Sequence, residues 1–112
     1  MSDPEEVVPA AVIADRKVGT YLLNIDHAEG GPKAQYFLAR GFSVEKPEPF
    51  IEALLEHGEA KNLASTMRSE FGTKYICEGP LLTPDGVNPR LRSVWQKRPD
   101  DVWRFLVTAY PF

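Results

Sequence analysis

The segment LASTMRSEFGTKYICEGPLLTPDGVNPRLRSVWQKRPDDVWRFLVTAY, residues 63–110, decides the fold of this chain. It is rich in β-branched and aromatic residues and is cut by turn signals at Phe71-Gly72-Thr73, Thr83-Pro84-Asp85-Gly86 and Arg98-Pro99-Asp100-Asp101. Three turns join four strands, expected at about 63–70, 74–80, 90–97 and 102–110, and links this short imply an antiparallel meander. Alternation then assigns the faces. In the third strand Leu91, Ser93 and Trp95 oppose Arg90, Arg92, Val94 and Gln96. In the last, Trp103, Phe105, Val107 and Ala109 oppose Arg104, Leu106, Thr108 and Tyr110. A hairpin turning at 98–101 sets Arg92 opposite Leu106 or Thr108, which gathers Arg90, Arg92, Thr108 and Tyr110 on one surface. Lys74 and Glu78 can join them from the second strand. Cys77 falls with Tyr75 on the core side, as a buried structural thiol.

Upstream of the strands the texture is helical. Pro47 and Pro49 introduce a helix whose core stripe is Phe50, Ala53, Leu54 and Leu55, with Glu52, Glu56 and Glu59 facing water and His57 among them as a solvated residue. Before it, Gly30-Gly31-Pro32 opens a second helix that runs without a breaker to Gly41, with Phe42 folding back on its apolar side. Residues 12–23 read as a first, shorter helix capped by Asp15. Residues 1–10 form an acidic, Pro-containing tail expected to be disordered, and 11–112 form one domain. Helices first and strands after give an α+β fold, two to three N-terminal helices packed on one face of a four-stranded antiparallel meander sheet.

Composition narrows the chemistry. The chain has 112 residues and a net charge of −3, divided into −5 for residues 1–61 and +2 for residues 62–112. An acidic chain has no long-range pull on nucleic acid, so any such contact depends on a local patch. The single Cys77 excludes an internal disulfide, and two histidines with one thiol make no metal-ligand set, so no cofactor or metal is expected. The start MSDPEEVVPAAVIA lacks a basic n-region and is interrupted by Pro9, so neither a signal peptide nor a membrane span is expected, and the cytoplasm is the default location.

Two places can carry chemistry. One is His27 to Lys33, where free amides at a helix start and the Lys33 ammonium suit an anion, with His27 at the edge. Its plainer reading is a loop that caps a helix, since Asp26 and Glu29 repel anions. The other is the arginine-bearing sheet surface, which is either a solvated face or a phosphate site.

The pattern YLLN at Tyr21–Asn24, Asp26-His27, Gly31 to Phe37, FGTKY at Phe71–Tyr75, EGPL-x-TPDG from Glu78 to Gly86, Arg90 to Trp95 and LVTAYP at Leu106–Pro111 resembles a small bacterial domain family that has no assigned activity. Members usually have Pro after the histidine, where this chain has Ala28. A remoter similarity is to the barnase-, colicin- and RelE-type metal-independent ribonucleases of bacterial toxin systems. That resemblance implies attack of an RNA 2′-OH on the adjacent phosphate, with His27 as general base or acid, Lys33 and Arg92 stabilising charge, and Thr108 and Tyr110 positioning phosphate or base. Arg90 is a weaker candidate. Three readings stay open: such a ribonuclease, a non-catalytic interaction module (an antitoxin, immunity protein or adaptor, with a cognate protein partner), and a small-molecule-binding domain using the Gly-Gly-Pro helix start.

Overall fold

The structure, a computed structural model, describes residues 11–13 and 31–112. A two-residue strand β1 (Ala11–Val12) precedes helices α1 (Gly31–Ala39) and α2 (Glu48–His57), and strands β2 (Leu63–Ser69), β3 (Gly72–Pro80), β4 (Arg90–Lys97) and β5 (Arg104–Pro111) follow. The sheet order is β1-β5-β4-β3-β2. β2 to β5 form the expected antiparallel meander, and the helices precede it, so the α+β layer stands. The sequence did not announce β1, which runs parallel to β5 through Ala11 opposite Arg104 and Val12 opposite Phe105. The helix expected over residues 12–23 therefore does not begin at Val12, and its remainder lies outside the described residues, as do the tail at 1–10 and His27.

Each helix ends where its local chemistry dictates. After α1, Gly41 takes φ +107°, a conformation that costs a glycine nothing, and its amide bonds Leu38 O at 3.0 Å. The reversal returns Phe42 to the helix, where its ring stands 4.7 Å from that of Phe50, while Phe37 meets Phe50 at 4.8 Å. In α2, Pro47 and Pro49 occupy the start, where a missing amide goes unnoticed, and the Ile51 amide bonds Pro47 O. Its buried stripe is Phe50, Ala53, Leu54 and His57, the i, i+3, i+4, i+7 set of one helix face.

The core lies between that stripe and the sheet face made by Cys77, Leu91, Trp95, Leu106 and Ala109. Trp95 is wholly buried beneath the end of α2, and a Cβ on Gly58 would run into its indole, so only glycine allows the helix to approach this closely. Ser93 and Trp95 point inward as alternation requires.

β5 departs from alternation. The register runs Arg92↔Tyr110 and Val94↔Thr108, then shifts, so that Trp95 pairs with Leu106 and Gln96 with Phe105. Val107 is the extra residue of a bulge, and the phase of the strand reverses across it. The strict alternation expected of β5 is thus corrected: Arg104 and Leu106 turn into the core beside Ala109, while Phe105 joins Thr108 and Tyr110 on the other face. Arg92 lies opposite Tyr110, not Leu106 or Thr108.

The link between β3 and β4 is tied to α1. Thr83 Oγ1 donates to Asp85 Oδ1 at 2.7 Å, the Thr83 amide donates to Asn88 Oδ1 at 2.9 Å, and the Asn88 amide returns to Thr83 Oγ1 at 3.1 Å. Arg40, at the end of α1, pairs with Asp85 at 3.3 Å. Those bonds hold the Asp85 carboxyl below its usual range, with the Thr83 hydroxyl the main cause, then the Val87 amide and, further down, Arg40.

Candidate functional site on the open sheet face

The helices cover one face of the sheet, and the other carries three cross-strand rows. Met67, Lys74, Gln96 and Phe105 make the first row, Ser65, Ile76, Val94 and Thr108 the second, and Glu78, Arg92 and Tyr110 the third. Beyond them Arg90 stands next to Phe112, whose amide bonds Arg90 O.

Arg92 is the centre of this surface. Its Nε donates to Glu78 Oε2 at 2.9 Å and its Nη2 reaches the same oxygen at 2.8 Å. Its guanidinium carbon stands 5.8 Å from the Tyr110 ring and 4.5 Å from the Phe112 ring. Arg90 approaches Phe112 from its own side at 4.9 Å. The Tyr110 hydroxyl and then the Glu78 carboxylate raise the Arg92 pKa further, so the cation persists at any working pH. A guanidinium held in one orientation, itself part-exposed like Glu78, is suited to grip an oxyanion entering from solvent.

Of the candidate residues, Arg92, Thr108 and Tyr110 share this face, and Arg90 adjoins it. Lys33 belongs to the first turn of α1, a helix that buries Ala34 and Phe37 toward the covered face; its side chain, like His27, is outside what the structure describes. Glu78, which sequence reading treated as an accessory, is the direct partner of Arg92. Adjacent strands with Glu78 and Arg92 in register were the available signal.

The covered face has a polar cluster of its own, and it corrects the reading of His57 as solvated. His57 is fully buried. Nε2 lies 2.8 Å from Leu91 O and 3.1 Å from Gly79 O, so it must carry the proton and donate to both carbonyls. Nδ1 then accepts from Ser93 Oγ at 2.8 Å, and Ser93 Oγ accepts from Trp95 Nε1 at 2.8 Å. Burial lowers the His57 pKa, against the pull of the two carbonyls and Glu56. The imidazole is neutral at pH 7, its tautomer is set, and its surroundings are dry, which makes it a structural group. The missed signal was its spacing: position 57 is seven residues after Phe50 and completes the helix stripe. Nearby, Arg104 is 3% exposed and donates from Nη2 to Gly58 O at 2.6 Å. Burial lowers the Arg104 pKa and raises that of Cys77 beside it, which favours the protonated thiol; Cys77 is buried, as expected.

Among the described residues no three His, Cys, Asp or Glu side chains come together as a metal site, and no helix is long and apolar enough to cross a membrane. The profile of a family described as a domain of unknown function, DUF6883, matches residues 4–112. The chain belongs to the DUF6883 family. No curated protein matches its sequence. The DUF6883 fold is similar to a chain of a contact-dependent growth inhibition toxin–immunity protein complex from Klebsiella pneumoniae 342, with a TM-score of 0.70 and 15% identity over 89% of this chain and 92% of that one. At that identity the likeness is one of fold.

Proposed function

We propose that this DUF6883 chain is a ribonuclease of a bacterial toxin system and that it cleaves RNA on the open sheet face without a metal. The observation that carries the reading is the Arg92 guanidinium, held by Glu78 beside the rings of Tyr110 and Phe112 on a face that the described helices leave uncovered. The fold likeness to a chain of a toxin–immunity complex supports a place in such a system.

The reaction is attack of a ribose 2′-oxygen on the adjacent phosphorus, with departure of the 5′-oxygen. The products are a 2′,3′-cyclic phosphate and a free 5′-hydroxyl. Two proton movements are needed: one off the 2′-hydroxyl and one onto the leaving oxygen. His27 and Glu78 are the proton carriers of this scheme. Arg92 neutralises charge on the phosphoryl oxygens, and Thr108 and Tyr110 hold the phosphate or the flanking base.

Incubation of end-labelled RNA with the protein in excess EDTA tests the proposal. Cyclic-phosphate ends are expected, and His27→Ala and Glu78→Gln each slow their formation about a hundredfold. Intact RNA at every protein concentration would remove the reading. A second reading, a non-catalytic immunity or antitoxin protein, draws on the charge of −5 over residues 1–61. Expression in bacteria separates the two, because arrested growth supports the toxin and undisturbed growth the inhibitor.

A further inference from the structure

We propose that the outer edge of β2 is a docking edge at which an acidic partner protein adds a strand of its own to the sheet. The inference is independent of RNA cleavage.

Among the described residues, β2 ends the sheet order, pairs only with β3, and has six of its seven residues exposed. A strand in this position carries a row of backbone donors and acceptors facing outward, and proteins that leave such an edge unused commonly interrupt it with Pro or Lys. β2, of sequence LASTMRS, has neither. Its one irregularity, a register shift between Leu63 and Ser65, lies at its start, and the run from Ser65 to Ser69 pairs regularly with β3.

The side chains around this edge select the partner. Met67 is 57% and Phe71 71% exposed, and two depressions of about 210 and 420 Å³ meet at Phe71 and Gln96. They are lined by the cations Arg68, Lys74 and Arg98 against a single acid, Glu70. Among the described residues none of these three cations has an ion pair, whereas Arg40, Lys61 and Arg92 each have one. A partner strand with an apolar side chain over Phe71 and carboxylates beside Arg68 and Lys74 satisfies both features. A second copy of this chain does not, because self-pairing brings two sets of the same cations to one seam.

The test uses the intact chain and two synthetic strands, an alternating Val-Glu peptide and an alternating Val-Lys peptide, followed by amide hydrogen exchange. The Val-Glu peptide is expected to slow exchange at Ser65–Ser69 and to bind about tenfold or more tightly than Val-Lys. The double change Arg68→Glu with Lys74→Glu, at exposed positions, is expected to reverse that preference. Equal binding of the two peptides, or protection confined to β5, would overturn the proposal. So would protection that grows with protein concentration alone, which marks self-association, or protection of the same amides by an oligouridylate in place of the Val-Glu peptide.

Discussion

On the covered side of β4, Ser93 sits between the His57 imidazole and the Trp95 indole; one residue away, on the open side, Arg92 sits between the Glu78 carboxylate and Tyr110. Successive residues of β4 centre the two clusters, and each cluster is joined by hydrogen bonds of 2.8 to 2.9 Å. Their surroundings separate them. Where no water can enter, a donor or acceptor without a partner is costly, so the buried cluster is complete and its work is to hold α2 on the sheet. Where water competes, an ion pair adds little to stability; under the proposed function, the guanidinium kept in one place by Glu78 serves as a binding group.

The sharpest way to break that comparison is His57→Ala. Loss of a packed ring and its hydrogen bonds is expected to cost about 3 kcal/mol by urea unfolding. A cost under about 1 kcal/mol would show that the buried cluster is not structural. On the open face, Tyr110→Phe removes the hydroxyl bonded to Arg92 and is expected to lower RNA cleavage about tenfold while leaving Tm within about 2 °C. A large loss of Tm would erase the distinction between the faces.

Acidification sharpens it further. The folded pKa of His57 lies below the usual 6.5, so the unfolded chain binds the proton more readily. The stability this group contributes is present above pH 6.5 and is lost as pH falls from there through the lowered folded value, with a slope of at most about 1.4 kcal/mol per pH unit. His57→Gln should flatten that part of the profile; an unchanged slope assigns the effect to another group. The smallest expected effect is at the β3–β4 link, where Thr83→Ala removes bonds to Asp85 and Asn88 and should cost about 1 kcal/mol by urea unfolding. Asp85 stays ionised to a pH below the usual 3.8, so its support for the link is present above that value and fades only as pH falls through the lower folded one.

Much of the architecture was legible because it depends on local signals. Pro47 with Pro49, Gly41 and the three turn signals mark where elements begin and end, and the four strands fall within two residues of their expected bounds. Two features were not legible. The bulge at Val107 is one residue with no compositional mark, yet it decides that Arg104 is buried and Phe105 exposed. His57 was hidden among glutamates; only its spacing from Phe50, and a serine on a strand thirty-six residues later, explain its burial. Arg92 and Tyr110 were grouped correctly on one face because they lie on the side of the bulge where alternation still holds, although their direct pairing needed the observed register.

Arg92→Ala measures most directly whether the open face does chemistry. The rate of labelled RNA cleavage in excess EDTA, at a temperature where circular dichroism shows both proteins folded, is expected to fall by about a hundredfold or more in the variant. Equal rates for the two proteins, or no cleavage by either, would contradict it.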